Sequence, residues 1–168
     1  MTLEIALEAD AEWDSSKSFE LLIRKAVQAA IAESAFPDLA ASGRPIELSI
    51  RLTGDEQVRG LNAKWRRKDK PTNVLSFPMA EDYELNDENV ATRELLLGDI
   101  IVARGVCERE AHDKGVSVEQ HATHLIVHGT LHLLGYDHQG DADAADMEAS
   151  EVRALERLGI ANPYEVVA

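Results

Sequence analysis

The sequence predicts an α+β fold: a single domain over residues 1–168, with a small mixed four-stranded sheet packed against about five helices. Two observations point to it. Short stretches of alternating apolar and polar residues are interleaved with segments of helical period through the earlier part of the chain, and helical patterns alone fill the end. No repeat, low-complexity tract or long linker interrupts the 168 residues, a length that buries a sizeable core without disulfide or metal support.

Taken in order, Leu3-Glu-Ile-Ala-Leu7 alternates and reads as the first strand. Ser18 to Ser34 carries Leu22, Ala26, Ala29 and Ala30 on one helical face and stops ahead of Pro37. Ile46-Glu-Leu-Ser-Ile50 is the second strand. Thr53-Gly-Asp-Glu56 has the spacing of a capping box and predicts a helix through Trp65. Asn73 to Phe77, bounded by Pro71 and Pro78, is a short third strand. The acidic run from Glu81 to Glu94 reads as a mobile loop, and Gly98 to Ala103 as the fourth strand, followed by a helix around Val106 to Asp113. Ser117-Val-Glu-Gln120 is a second capping box whose helix runs to Leu134. A last helix covers about Asp143 to Leu158, with Met147, Ala154, Leu155 and Leu158 on one face and Gly159 as its stop.

Composition narrows the function. One cysteine, Cys107, excludes an intrachain disulfide and fits a reducing, cytoplasmic setting. The N-terminal residues lack a basic and apolar leader, and no stretch is long and apolar enough to span a bilayer, so no membrane partner is expected. A net charge of −14 argues against a protein that coats nucleic acid non-specifically. The sign is not uniform: Lys64-Trp-Arg-Arg-Lys-Asp-Lys70 sets five basic side chains against one acidic. Such a patch on a repelling body suits contact with a polyanion at one place; for the run taken on its own, a solvated charged turn is the favoured reading.

The chemistry concentrates in His121-Ala-Thr-His-Leu-Ile-Val-His-Gly-Thr-Leu-His-Leu-Leu-Gly-Tyr-Asp-His138, which holds five of the six histidines. Leu125 to Leu134 is apolar nearly all round, the mark of a buried helix. His128 and His132, four apart, stack on one face, where two neutral imidazoles reach one ion. Gly135 is placed to take a left-handed conformation and reverse the chain, returning His138 to the same ion. Any one of these histidines alone is better read as a core residue satisfied by hydrogen bonds, but the full spacing arises by chance in roughly one such chain in a couple of thousand. Three ligands leave the fourth corner of a tetrahedral Zn2+ open, the arrangement of catalytic sites, in which the ion brings the pKa of a water to about 7. Nickel, copper and iron are not excluded by the ligand type. Asp137 is placed either to orient a histidine or to cap the turn, and His121 and His124 to line or support the pocket.

The spacing follows the zinc-protease pattern His-Glu-x-x-His-x-x-Gly-x-x-His except that Gly129 stands where the general-base glutamate belongs. Peptide hydrolysis loses its proton acceptor by that change, whereas phosphodiester cleavage depends more on charge stabilisation by a metal and arginines. His128-Gly-Thr-Leu-His-Leu-Leu-Gly-Tyr-Asp-His138 resembles the signature of the YbeY family of bacterial endoribonucleases. Trp65 to Pro78 and Leu97 to Ile101 resemble two further motifs of that family, so that the likeness covers about residues 45–158. The resemblance implies a zincin-like metal-site helix and a zinc ion on His128, His132 and His138. It implies single-stranded RNA as substrate, maturation of the 3′ end of 16S rRNA, ribosome quality control, and association with the small subunit and its assembly factors. It also implies Arg66, with His128, as the functional residues. Trp65 departs from the tyrosine of many members while keeping a plane for base stacking; a core role for it competes with that reading. A metalloprotease of altered mechanism and a non-catalytic, metal-stabilised assembly factor are the alternatives.

Overall fold

The computed structural model describes residues 2–13, 16–41, 43–86 and 94–165. The order is β1 (Thr2–Ala9), α1 (Lys17–Ala32), α2 (Asp38–Ala41), β2 (Pro45–Thr53), α3 (Asp55–Arg66), β3 (Val74–Pro78), α4 (Asp82–Leu85), β4 (Leu95–Ala103), α5 (Arg104–Lys114), α6 (Val118–Leu133) and α7 (Asp141–Arg157). The fold is α+β as expected, with five longer helices and two single-turn ones, α2 and α4, among the described residues. Residues 87–93 of the expected acidic loop lie outside the described residues, and Asp82–Leu85 within it form α4, closed by a Glu81–Glu84 capping box.

The four strands form one sheet in the order β1-β2-β4-β3, parallel between β1, β2 and β4 and antiparallel between β4 and β3. Alternation in β2 points Ile46, Leu48, Ile50 and Leu52 into the core without exposure. On that side α1 contributes Phe19, Ile23, Ala26, Val27 and Ala30, and α6 and α7 pack against it. Residues of the opposite parity in β3 and β4, Leu75, Ile101 and Ala103, meet Val58 of α3 in a smaller cluster. The sheet is therefore covered on both faces near β3, and β3 is an edge.

Two helix starts follow the sequence and one does not. The Ser16 hydroxyl accepts from the Phe19 N–H at the head of α1, and Ser117 and Gln120 form the expected reciprocal box on α6. The box expected at Thr53–Glu56 does not form: Gly54 is the N-cap, and the Thr53 hydroxyl instead donates to Asp10. The reason is tertiary, since Thr53 is still part of β2 and its side chain is fully buried beside the β1 end.

Candidate metal centre

Helix α6 is buried along most of its length, and His128 and His132 are among its few partly exposed residues. Its end is set by Gly135, whose φ of 95° is open to glycine and strained for other residues; its N–H bonds to the His132 carbonyl and that of Tyr136 to Leu131. The reversal carries the chain back, placing the His138 ring 4.9 Å from that of His132 and 5.6 Å from that of His128. One nitrogen of each of the three rings lies within 4.8 Å of the others. The structure thus brings together the three histidines that the spacing singled out, in a group that could hold a metal ion.

The partners of the other ring nitrogens decide what the cluster can hold. The Nδ1–H of His132 donates to the Tyr136 carbonyl, 2.8 Å away, and the Nδ1–H of His128 donates to the Glu151 carboxylate. Both acceptors require the proton on Nδ1, so each Nε2 carries a lone pair. Those two Nε2 atoms face each other at 3.1 Å. Two lone pairs at that separation repel unless a cation lies between them, so the donor set fits a metal ion. Burial, and after it the cost of placing two positive imidazoles side by side with His128, holds the His132 imidazole down to about 4, which keeps it unprotonated at neutral pH.

Behind the ligands stands a network that reading the sequence missed. Glu151 of α7 has no exposure; it accepts from His128 and from the Tyr164 hydroxyl, with His124 Nε2 3.7 Å from its second oxygen. Burial alone would raise this carboxylate, but the His124 and His128 imidazoles that face it and the hydrogen bond from Tyr164 outweigh burial and bring it down to about 2. The signal was present: Glu151 falls four after Met147 and three before Ala154, inside the apolar stripe of α7. Tyr164 had no such signal. Asp137, considered as the histidine orienter, instead accepts from the His138 backbone N–H and caps its own turn. His124 is 3.3 Å from the Tyr164 hydroxyl and His121 binds Glu110 at 2.8 Å, so both support the pocket wall.

Gly129 faces the sheet. A Cβ there would sit 3.0 Å from Ile100 Cγ2 and 3.1 Å from Ser76 Oγ, and a glutamate side chain has no room on that side. Edge strand β3 therefore passes directly against the helix one residue from His128. Backbone bonds from Ala103 to Asn73 and from Met79 to Leu97 show that odd-numbered β3 residues bond inward to β4, so the Ser76 carbonyl faces the free edge. There it accepts from Arg66 Nη2 at 3.4 Å. Arg66 thus lies at the rim of the same strand that touches the metal helix.

The rest of the basic run is exposed and held in shape. Asn62, 2% exposed, receives the Arg67 and Lys68 N–H groups on its carbonyl and donates its amide to the Lys70 carbonyl. The only acid of the run, Asp69, is engaged by Arg59 at 2.8 Å. Trp65 is 61% exposed, edge-on to Phe77 and with Lys64 Nζ 5.0 Å from its ring, which rules out the core role considered for it.

Residues 5–159 match the family model described as Endoribonuclease YbeY. The match reaches β1 and α1, beyond the residues 45–158 that carry the recognisable motifs. The chain is 50% identical to the Endoribonuclease YbeY of Rhizorhabdus wittichii over 98% of both chains. It is also 50% identical to that of Sphingopyxis alaskensis, over 96% of this chain and 97% of the relative. A solution structure of a Thermotoga maritima protein, 21% identical, superposes with a TM-score of 0.54 over 98% of this chain and 97% of that one, a likeness of fold.

Proposed function

The chain belongs to the YbeY endoribonuclease family, and from that premise we propose that it is a zinc-dependent endoribonuclease specific for single-stranded RNA. In this reading its substrate is precursor rRNA, it matures the 3′ end of 16S rRNA and takes part in ribosome quality control with the small subunit and assembly factors, and it works in the cytoplasm as one domain over residues 1–168. The observation that carries the reading is the run of contacts from Arg66 through Ser76 and Gly129 to the three-histidine cluster. It links a guanidinium at the free edge of β3 to the histidine helix packed against the same strand, with no carboxylate at position 129.

His128, His132 and His138 hold the ion, and Glu151 and the Tyr136 carbonyl fix the tautomers that aim two of these rings at it. When bound, the ion supplies Lewis acidity toward a phosphodiester. Arg66 supplies a planar, permanently charged fork for phosphate oxygens, and Arg67, Lys68 and Lys70 bring the polyanion to an otherwise acidic molecule. The peptidase alternative loses its footing at Gly129, where Ile100 and Ser76 occupy the space of the missing base.

The test pairs elemental analysis of the purified protein with cleavage of a single-stranded RNA by wild type and His128→Ala. About one zinc per chain and metal-dependent cleavage, both lost in the variant, are expected. Highly purified protein that binds zinc and never cleaves RNA would make it an assembly factor instead.

A further inference from the structure

A second cavity, of about 200 Å³, lies on the α5 side of the metal centre and shares the His128 ring as a wall. Its lining is chemically mixed. Rings of His121, His124 and Tyr164 and the side chain of Leu125 give aromatic and apolar surface, with His121 and His124 edge-to-face at 5.8 Å. Glu110 gives a carboxylate held in place by His121 at 2.8 Å and by the Asn73 amide at 3.1 Å. Lys114 is exposed and forms no ion pair among the described residues. His124 is 7% exposed, so it offers the cavity the edge of a fixed ring.

Simple ligands fit this lining poorly. A lone phosphate would face the Glu110 carboxylate as well as the Lys114 ammonium. A metal ion would want several ligand atoms converging, and among the described residues the cavity side chains do not form such a group. A nucleobase meets every feature: it is planar and neutral, it stacks on aromatic rings, and its edge puts a donor beside an acceptor. The donor suits Glu110 and the acceptor suits Lys114, with the His121, His124 and Tyr164 rings as the stacking surface.

Resting on the endoribonuclease reading, we propose that this cavity is a base pocket that receives one unpaired nucleobase of the RNA next to the bond being cut. All four bases carry a donor next to an acceptor, so the pocket reads the presence of an extruded base rather than its identity. A base held in a duplex cannot enter it, which supplies a physical origin for selection of single strands.

The experiment titrates the zinc-loaded full-length protein with uridine, with ribose and inorganic phosphate as separate controls, and follows the imidazole signals of His121 and His124 by NMR. Uridine is expected to shift both signals while ribose and phosphate leave them in place, and Lys114→Ala, a change at an exposed residue, to weaken uridine binding about tenfold. Silence of both signals up to the solubility of uridine, unchanged affinity in Lys114→Ala, or an equal response to phosphate would each overturn the base pocket. The outcome is separable from the RNA cleavage assay: cleavage without a uridine response removes this inference alone, and a uridine response without cleavage removes the nuclease reading on which it rests.

Discussion

A carboxylate without solvent contact, Glu151, fixes the orientation of His128 and through it would act on an ion held by that ring. Partners of this kind commonly alter metal affinity by ten- to a hundredfold. Glu151→Gln keeps the shape but replaces the acceptor pair with an amide. It should weaken zinc binding by about that factor in a chelator competition, with little loss of helical circular dichroism; unaltered affinity would dismiss Glu151 as a positioning residue. Arg66 is a different kind of residue, exposed and bonded only to a strand-edge carbonyl among the described residues. Arg66→Gln should leave zinc content and melting temperature unchanged while lowering kcat/KM on single-stranded RNA roughly ten- to a hundredfold, the value of one or two charge-assisted hydrogen bonds.

At the scale of elements, the contact between α6 and β3 decides which chemistry the histidine helix is able to host. Gly129→Ala places a methyl against Ile100 and Ser76, and overpacking of this kind costs about 1–3 kcal/mol. For a chain of this length each kcal/mol is worth about 2–4 °C in melting temperature, so a fall of several degrees in a thermal melt is expected. Gly129→Glu, which completes the zinc-protease pattern in sequence, should melt lower still and show no casein hydrolysis. A Gly129→Glu variant that folds well and cuts casein would mean that β3 yields easily, contrary to the packing described.

For the whole molecule the buried imidazoles set the response to acid. His132 and His121 are both held below the ordinary imidazole value, each chiefly by burial. Above an ordinary value of about 6.5 neither contributes to pH dependence. As pH falls from there toward 4, the unfolded chain takes up protons that the folded chain refuses, and stability declines. Glu151 acts in a lower window: its stabilisation is complete above the ordinary carboxylate range and is lost as pH falls toward 2. Protein freed of metal by chelator should therefore show a melting temperature that drops steadily between pH 7 and pH 4. A flat profile across that interval would contradict the burial of these rings. On a body of net charge −14, the five cations of residues 64–70 form one local basic patch, and Asn62 holds the backbone of three of them, Arg67, Lys68 and Lys70.

The order of alternating and helical patterns along the chain determined the α+β class. Local spacing by itself determined the buried helix α6, its Ser117 box, the reversal at Gly135 and the grouping of three histidines, because each of these depends on residues within a turn or two of one another. What only the tertiary structure decided are the contacts between segments distant in the chain. Thr53 abandoned its capping role because Asp10 of another segment claimed its hydroxyl. Glu151 reached His128 from α7, Tyr164 reached Glu151 from beyond that helix, and Arg66 is tied to the histidine helix only through β3, which runs between them. A periodic pattern records which face of an element is apolar; it does not record which other element will cover that face, and at this site the covering elements supply the charge and the proton positions.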